Sequence, residues 1–182
     1  VLDTAKKSYR NLVNAKAVEE KVAAIGEVTL ESKGAIEEAE AAYQALTADQ
    51  KQLVTNADVL AAARKSYNDL AAAKAVEDQI AAIGKVTLTS KSAIEAAESA
   101  YAALTAEQKQ LVTNADVLAA ARKSYNDLAA AKAVEDQIAA IGKVTLTSKS
   151  AIEKAEAAYE ALTEEQKALV SNADLIAAAK SA

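Results

Sequence analysis

Three serines, Ser66, Ser90 and Ser124, are the side chains closest in type to a catalytic nucleophile. A serine must be activated by a neighbouring base, which is usually histidine, before it attacks a substrate. The chain contains neither His nor Cys, so the usual residues for acid–base and thiol chemistry are missing. Helix-surface and helix-capping positions explain these serines, and we expect no catalytic residue and no enzymatic activity.

Paired carboxylates occur at Glu37-Glu38 and at Glu77-Asp78. Adjacent residues of a helix point about 100° apart, so neither pair is expected to share a site, and solvated charge is the simpler interpretation. Soft metal sites need Cys or His, and a calcium loop needs several Asp residues around a Gly. The sequence has no such loop and no glycine-rich phosphate motif, so we expect neither a metal site nor a cofactor.

The tyrosines form two series with identical spacing, and an aromatic ladder of this kind is either a binding surface or a set of large core residues. We favour the core, with each hydroxyl reaching the edge of the bundle, because Tyr67 and Tyr101 fall within regular apolar stripes. The two series are Tyr9, Tyr67, Tyr125 and Tyr43, Tyr101, Tyr159.

A repeat positions all of these residues. Lys16, Lys74 and Lys132 each open the word Lys-Ala-Val-Glu and are 58 residues apart. A fixed period of this length is typical of repeat architectures, in which each copy buries its apolar face against a neighbour. The predicted boundaries are repeat 1 over 1–56, repeat 2 over 57–114, repeat 3 over 115–172 and the start of a further long helix over 173–182.

The middle copy begins with a long helix. Thr55 or Asn56 is the predicted cap, and Thr55 and Asp58 have the spacing of a capping box. Nothing breaks the helix before Ile83, and Gly84 lies where a left-handed terminal residue belongs. The predicted length is about 27 residues, or roughly 40 Å.

A second and a third helix follow. Thr87 is the preferred cap of the second, with Ser90 or Ser92 as alternatives, and the helix is expected to end near Leu104. The Val-Thr-Leu stretch before it is too short and isolated for a sheet and is predicted to be a loop. The third helix is short and ends near Val112. Its predicted capping box, and those of the other copies, are Thr105/Gln108, Thr47/Gln50 and Thr163/Gln166.

The long helix carries two apolar stripes whose mean directions differ by roughly 140°. One partner surface cannot bury both, so we expect the first half to pack against the preceding copy and the second half against its own second helix. The stripes are Leu60, Ala63, Tyr67, Leu70 and Ala73, Val76, Ile80, Ile83. The predicted fold is all-α, with tandem three-helix bundles joined end to end through shared long helices into an elongated rod. The alternative is an α-solenoid of stacked helical hairpins.

The net charge of −5, with both signs interspersed, argues against nucleic acid or an anionic membrane as a partner. No apolar run approaches the roughly 20 residues that cross a bilayer, so membrane insertion is not expected. The chain begins at Val1, which suggests a piece of a longer protein. We expect a monomer that contacts neighbouring domains of the same chain.

Two stretches, residues 83–95 (IGKVTLTSKSAIE) and 100–114 (AYAALTAEQKQLVTN), resemble the small helical repeats of large Gram-positive surface and secreted proteins. The resemblance covers essentially the whole chain and is similar to FIVAR-type three-helix modules. It implies an extracellular, cell-wall-associated protein in which the repeats form a stalk or spacer that projects another domain. The alternative is an adhesin-type module that binds a host protein through an exposed apolar patch on each copy. The predicted stripes leave little apolar surface for such a patch.

Overall fold

The computed structural model describes residues 1–181, and within that range the chain is all-helical. It contains ten α-helices and no strand in the described residues, which confirms the all-α prediction. Long, medium and short helices follow one another in a recurring order. The α-helices are α1 (Leu2–Ala24), α2 (Lys33–Gln44), α3 (Ala48–Lys51), α4 (Ala57–Ala82), α5 (Lys91–Ala103), α6 (Ala106–Leu111), α7 (Ala115–Ile141), α8 (Lys149–Glu160), α9 (Glu164–Lys167) and α10 (Asp174–Ser181).

The long helices α4 and α7 have 26 and 27 residues, close to the predicted length. They consist largely of strong helix formers and contain no Pro or Gly. A glycine follows each long helix, and its φ is +60° at Gly26 and +57° at Gly84 and Gly142, as the predicted stops require. At Gly142 ψ is −136°, which lies in the mirror image of the β region and not in the left-handed helical region. The chain therefore leaves α7 in an extended direction.

A 3₁₀ turn precedes the second helix of the first two copies, at Leu30–Ser32 and Leu88–Ser90. Thr87 caps this turn and not α5 itself, because its hydroxyl accepts from the N–H of Thr89 while the Ser90 hydroxyl accepts from the N–H of Thr87. The predicted loop at Val-Thr-Leu is thus partly helical, and α5 begins only at Lys91.

The three capping boxes predicted at the short helices are all present, whereas the Thr55 N–H, from which Asp58 would accept in the fourth predicted box, donates to Glu19. At α6, the Thr105 hydroxyl accepts from the Gln108 N–H at 3.2 Å, and the Gln108 Oε1 accepts from the Thr105 N–H at 3.0 Å. The boxes at α3 and α9 have the same two bonds. Each box satisfies two backbone donors at a helix start that would otherwise lack partners.

The chain divides into two compact units, which are described separately. Unit 1 comprises residues 1–76 and 103–113, and unit 2 comprises residues 77–102 and 114–182. The helix α4 runs without interruption through the boundary between residues 76 and 77. The repeat boundaries at 56, 114 and 172 remain predictions from the sequence period.

Unit 1 is built around a core to which three helices contribute. The second half of α1 supplies Val18 and Val22, and α2 supplies Ile36, which is fully buried. The first half of α4 completes the core with Leu60 and Ala63. The first apolar stripe of α4 therefore packs against the preceding copy, as its direction predicts.

Unit 2 contains a smaller core at its C-terminal end, built from positions equivalent to those of the unit 1 core. Val134 and Ile138 from the second half of α7 pack with Ala155 of α8. Ile176 of α10 occupies the place that Leu60 has in the core of unit 1. Apolar positions 3 or 4 residues apart thus account for the buried face of each helix.

Candidate functional site

The most regular polar feature is an ion pair between a long helix and the second helix of the preceding copy. Arg64 of α4 donates two hydrogen bonds to Glu40 of α2, at 2.7 and 2.6 Å. Arg122 of α7 makes the same fork with Glu98 of α5, at 2.7 and 2.5 Å. The Arg64 bonds lower the pKa of the Glu40 carboxyl, and those of Arg122 do so for Glu98. In the last copy, Lys180 pairs with Glu156.

A second recurring contact joins the start of a long helix to the middle of the preceding long helix. The Glu19 carboxylate accepts from the N–H and the hydroxyl of Thr55, at 2.9 and 2.5 Å. These bonds lower the pKa of Glu19. The Glu135 carboxylate likewise accepts from the N–H and the hydroxyl of Ser171, at 2.8 and 2.5 Å.

The predicted capping role of Asn56 is wrong. Its Nδ2 donates to the Glu19 carbonyl at 3.1 Å, and its Oδ1, which a cap would use as acceptor, has no hydrogen-bond partner among the described residues. Asn114 likewise makes no capping bond and donates to the Glu77 carbonyl at 3.1 Å. The amide is turned towards the neighbouring helix because that helix offers a partly buried carbonyl acceptor.

A third contact links each short helix to a long one. Gln50 is buried, and its Nε2 donates to Asn11 Oδ1 at 3.2 Å. Gln108 donates to Asp69 at 2.8 Å in the next copy, and Gln166 donates to Asp127. Sequence analysis predicted only the capping half of this role. The 39-residue spacing of the partners gives no local signal that would have revealed the rest.

The three candidate serines lie in a turn before a helix or on exposed helix surfaces, and Ser124 takes the same exposed position on α7 as Ser66 on α4. Ser90 belongs to the turn that precedes α5, and Ser66 lies on an exposed position of α4. Glu37 and Glu38 pair with different lysines, Lys33 and Lys21, as adjacent helical positions predict. Hydrogen bonds lower the pKa of the Glu40 and Asp69 carboxyls and raise the pKa of Lys65 and Arg64, in each case away from neutrality. These directions give no support to general acid–base chemistry.

The tyrosines are half-buried at five of their six positions, where the ring lies at the edge of a core. Tyr67 packs against the unit 1 core, and the Arg64 guanidinium lies 5.7 Å from its ring centroid. In the same arrangement, the Arg122 guanidinium lies 5.8 Å from the ring centroid of Tyr125. Tyr9, at 73% exposure, is the exception. This distribution agrees with core residues whose polar ends reach the surface.

Each copy also exposes large apolar side chains at two equivalent positions, which sequence analysis did not anticipate. The first position lies at or just after the end of the short helix, and the second lies in the first turn of the helix that follows. Their exposed fractions are all between about one third and one half. The first series is Leu53, Leu111 and Leu169, and the second is Val59, Val117 and Leu175.

Metal and membrane sites were sought over residues 1–181. No cluster of three or more acidic side chains in this range is arranged to hold a metal ion. None of the helices in the described part combines the length and the apolar character that a membrane span requires. The chain matches no protein-family model, no curated protein and no solved structure.

Proposed function

We propose that the chain is a structural spacer, in which three-helix bundles joined end to end through shared long helices form an elongated rod. The observation that carries this proposal is the continuity of α4, whose 26 residues pass from unit 1 into unit 2 without a break. A continuous helix resists bending, whereas a glycine- or serine-rich linker does not. The recurring contacts of Glu40 and Glu19 with the next long helix support the same interpretation.

The proposed setting is the surface of a Gram-positive bacterium, where the rod projects another domain from the cell wall. This part rests on the resemblance of residues 83–114 to FIVAR-like three-helix modules. The absence of residues suited to catalysis, and pKa values that move away from neutrality, agree with a mechanical role.

Small-angle X-ray scattering on the full chain tests the rod. We expect a rod-like distance distribution with a cross-section of one three-helix bundle. Ala75→Pro, at an exposed position of α4, should break the helix and shorten the maximum dimension. The control is Ala106→Pro at the first position of α6, where proline is tolerated after the extended Thr105. A compact globule, or equal scattering from both variants, would contradict the proposal.

A second candidate function is binding of a host protein such as an immunoglobulin. The exposed side chains of Leu53, Val59, Leu111 and Val117 favour it, because apolar side chains exposed at equivalent positions of successive copies suit multivalent contact. Biosensor titration with purified immunoglobulin and serum albumin is the test. Binding that is lost on Val59→Ser and Val117→Ser would support this candidate, whereas absence of binding by the parent chain would remove it for these ligands.

A further inference from the structure

The asparagine that precedes α4, α7 and α10 makes one contact that is the same in all three copies. Its Nδ2 donates to a main-chain carbonyl of the long helix one copy earlier, at 3.1 Å in each case. The other recurring polar contacts change residue type between copies. Lys180 replaces the arginine of the ion pair in the last copy, and Ser171 replaces Thr55. The bonded pairs are Asn56 with Glu19, Asn114 with Glu77 and Asn172 with Glu135.

These amides do not cap their own helices. The Oδ1 atom of each, which a cap would use as acceptor, is buried and has no hydrogen-bond partner within residues 1–181. Turning the Asn56 amide over would place Oδ1 against the Glu19 carbonyl oxygen, and two acceptors repel each other. The neighbouring helix, and not the local turn, therefore determines how the amide is oriented.

The other contacts of α4 with the preceding copy fix its axial position only weakly. Ten of the 26 residues of α4 are alanine, and small side chains form low ridges between packed helices. Arg64 and Glu40 have several rotatable bonds each, so their ion pair can re-form after a displacement. The Asn56 side chain is short, and its acceptor is a main-chain atom within α1. A slip of one helical turn, about 5.4 Å, would therefore break this bond.

We propose that Asn56, Asn114 and Asn172 are positioning residues, which set the axial position at which each helix docks on the long helix one copy earlier. In unit 1, Thr55 assists by donating to the carboxylate of the same Glu19 whose carbonyl binds Asn56. Because all three copies carry the asparagine, it determines how far along its neighbour a helix lies and not which copies pair. This inference does not depend on the spacer function.

Substitutions of Asn56 distinguish this role from helix capping. Aspartate and serine are both good caps, so a capping residue would tolerate either. Asn56→Asp instead places a carboxylate against the Glu19 carbonyl, and we expect it to lower the urea midpoint at neutral pH by about 0.5 M or more. Asn56→Ser, whose hydroxyl is too short to reach this carbonyl, should lower the midpoint less. The control is Asn68→Asp, which adds the same charge at an exposed position of α4 and should have little effect.

Acid should reverse the effect of Asn56→Asp. The charged groups beside this position are Glu19, whose partner Lys16 lies 3.8 Å away, and Asp58 in the first turn of α4. The Glu19 oxygens disfavour a second negative charge, so the pKa of the introduced carboxyl is higher in the folded chain than its unfolded value of about 3.9. Its destabilising effect is complete above the folded pKa and disappears as pH falls towards the unfolded value. The urea midpoint should therefore approach that of Asn68→Asp as pH is lowered to about 4.

A distance measurement separates axial position from stability. The chain contains no Cys, so spin labels on Glu20→Cys and Ser66→Cys, at exposed positions of α1 and α4, report one distance by double electron–electron resonance. The otherwise unchanged chain should give one narrow distribution. Adding Asn56→Ala should broaden it or add a second distance shifted by several ångströms, as a slip of one turn requires. Adding Arg64→Ala, which breaks the ion pair, should leave the distribution unchanged.

Three outcomes would overturn the proposal. An Asn56→Asp variant as stable as Asn68→Asp at neutral pH would assign Asn56 a capping role. A loss that persists in acid would show that repulsion at the Glu19 carbonyl is not its cause. An unchanged distance in Asn56→Ala, or in Asn56→Ser if the alanine variant does not fold, would show that the bond stabilises the contact without setting its position.

Discussion

The first half of α1 and the first half of α4 contain the same apolar pattern in different surroundings. Leu60 and Tyr67 pack on α2, whereas Leu2 and Tyr9 face solvent. Both segments are helical, so the helix propensity of their residues is enough to form the helix whether or not its apolar side is buried. Burial requires a partner helix as well. The contribution of a repeat position to stability therefore depends on its neighbour, and the paired positions allow this dependence to be measured.

The largest difference is expected at the leucine pair. Leu60→Ala removes a buried side chain from the unit 1 core and should lower the free energy of unfolding by about 2–5 kcal/mol. Leu2→Ala should change it by less than about 0.5 kcal/mol because Leu2 is mostly exposed. Urea unfolding followed by circular dichroism gives both values. Equal losses would contradict the difference in burial between Leu60 and Leu2.

The tyrosine pair should show a smaller difference. Tyr67→Ala removes a half-buried ring and its contact with the Arg64 guanidinium, and we expect a loss of about 1–3 kcal/mol. Tyr9→Ala should have almost no effect on thermal unfolding, because the ring is exposed. A loss at Tyr67 no greater than that at Tyr9 would argue against the edge-of-core role.

Arg64 of α4 and Lys6 of α1 occupy equivalent repeat positions and allow a third comparison. Arg64→Ala breaks the fork with Glu40 and should cost about 0.2–1 kcal/mol, the range measured for solvent-accessible pairs. Lys6→Ala, the equivalent change in α1, serves as the control. A double-mutant cycle with Glu40→Gln isolates the pair energy. Zero coupling would mean that the fork contributes nothing measurable.

Acid should reduce stability through the same pair. The Arg64 hydrogen bonds lower the pKa of Glu40 in the folded chain, so the unfolded chain binds this proton more tightly. The contribution is complete above the unfolded pKa of about 4.3 and is lost as pH falls through the lowered folded value. Urea midpoints measured down from neutral pH should therefore fall less in Arg64→Ala than in wild type. An equal fall would assign the acid sensitivity to other carboxyls, such as Glu19.

The starts of the short helices and the ends of the long ones were predictable from the sequence because their determinants are local, whereas the start of α5 was misplaced by the 3₁₀ turn after Thr87. The boxes at Thr47, Thr105 and Thr163 join residues three positions apart, and the stops at Gly26 and Gly84 depend on the φ of one residue. Apolar spacing likewise predicted Leu60 and Ala63 as buried positions. Each of these features depends only on residues within one or two helical turns of one another.

The errors arose where a distant partner competes with a local one. Asn56 has a suitable residue type for a cap, but its amide binds Glu19, 37 residues earlier in the chain. The role of Gln50 beyond its capping box depends on Asn11 in the same way. The exposed side chains of Leu53 and Val59 were missed because they lie outside the main stripes. For Asn56 and Gln50, the deciding hydrogen bond joins two helices whose relative placement cannot be predicted from residues close in sequence.

The identical sequences of α4 and of the start of α7 also have a consequence for how the chain folds. The 26 residues of α4 recur unchanged at the start of α7, so the surface of α2 offers the same apolar and ionic contacts to either segment. Glu40 is 24 positions from Arg64 but 82 from Arg122. Closing the longer loop costs about 1 kcal/mol more in chain entropy. During refolding, the correct register is thus selected by proximity along the chain and not by side-chain chemistry.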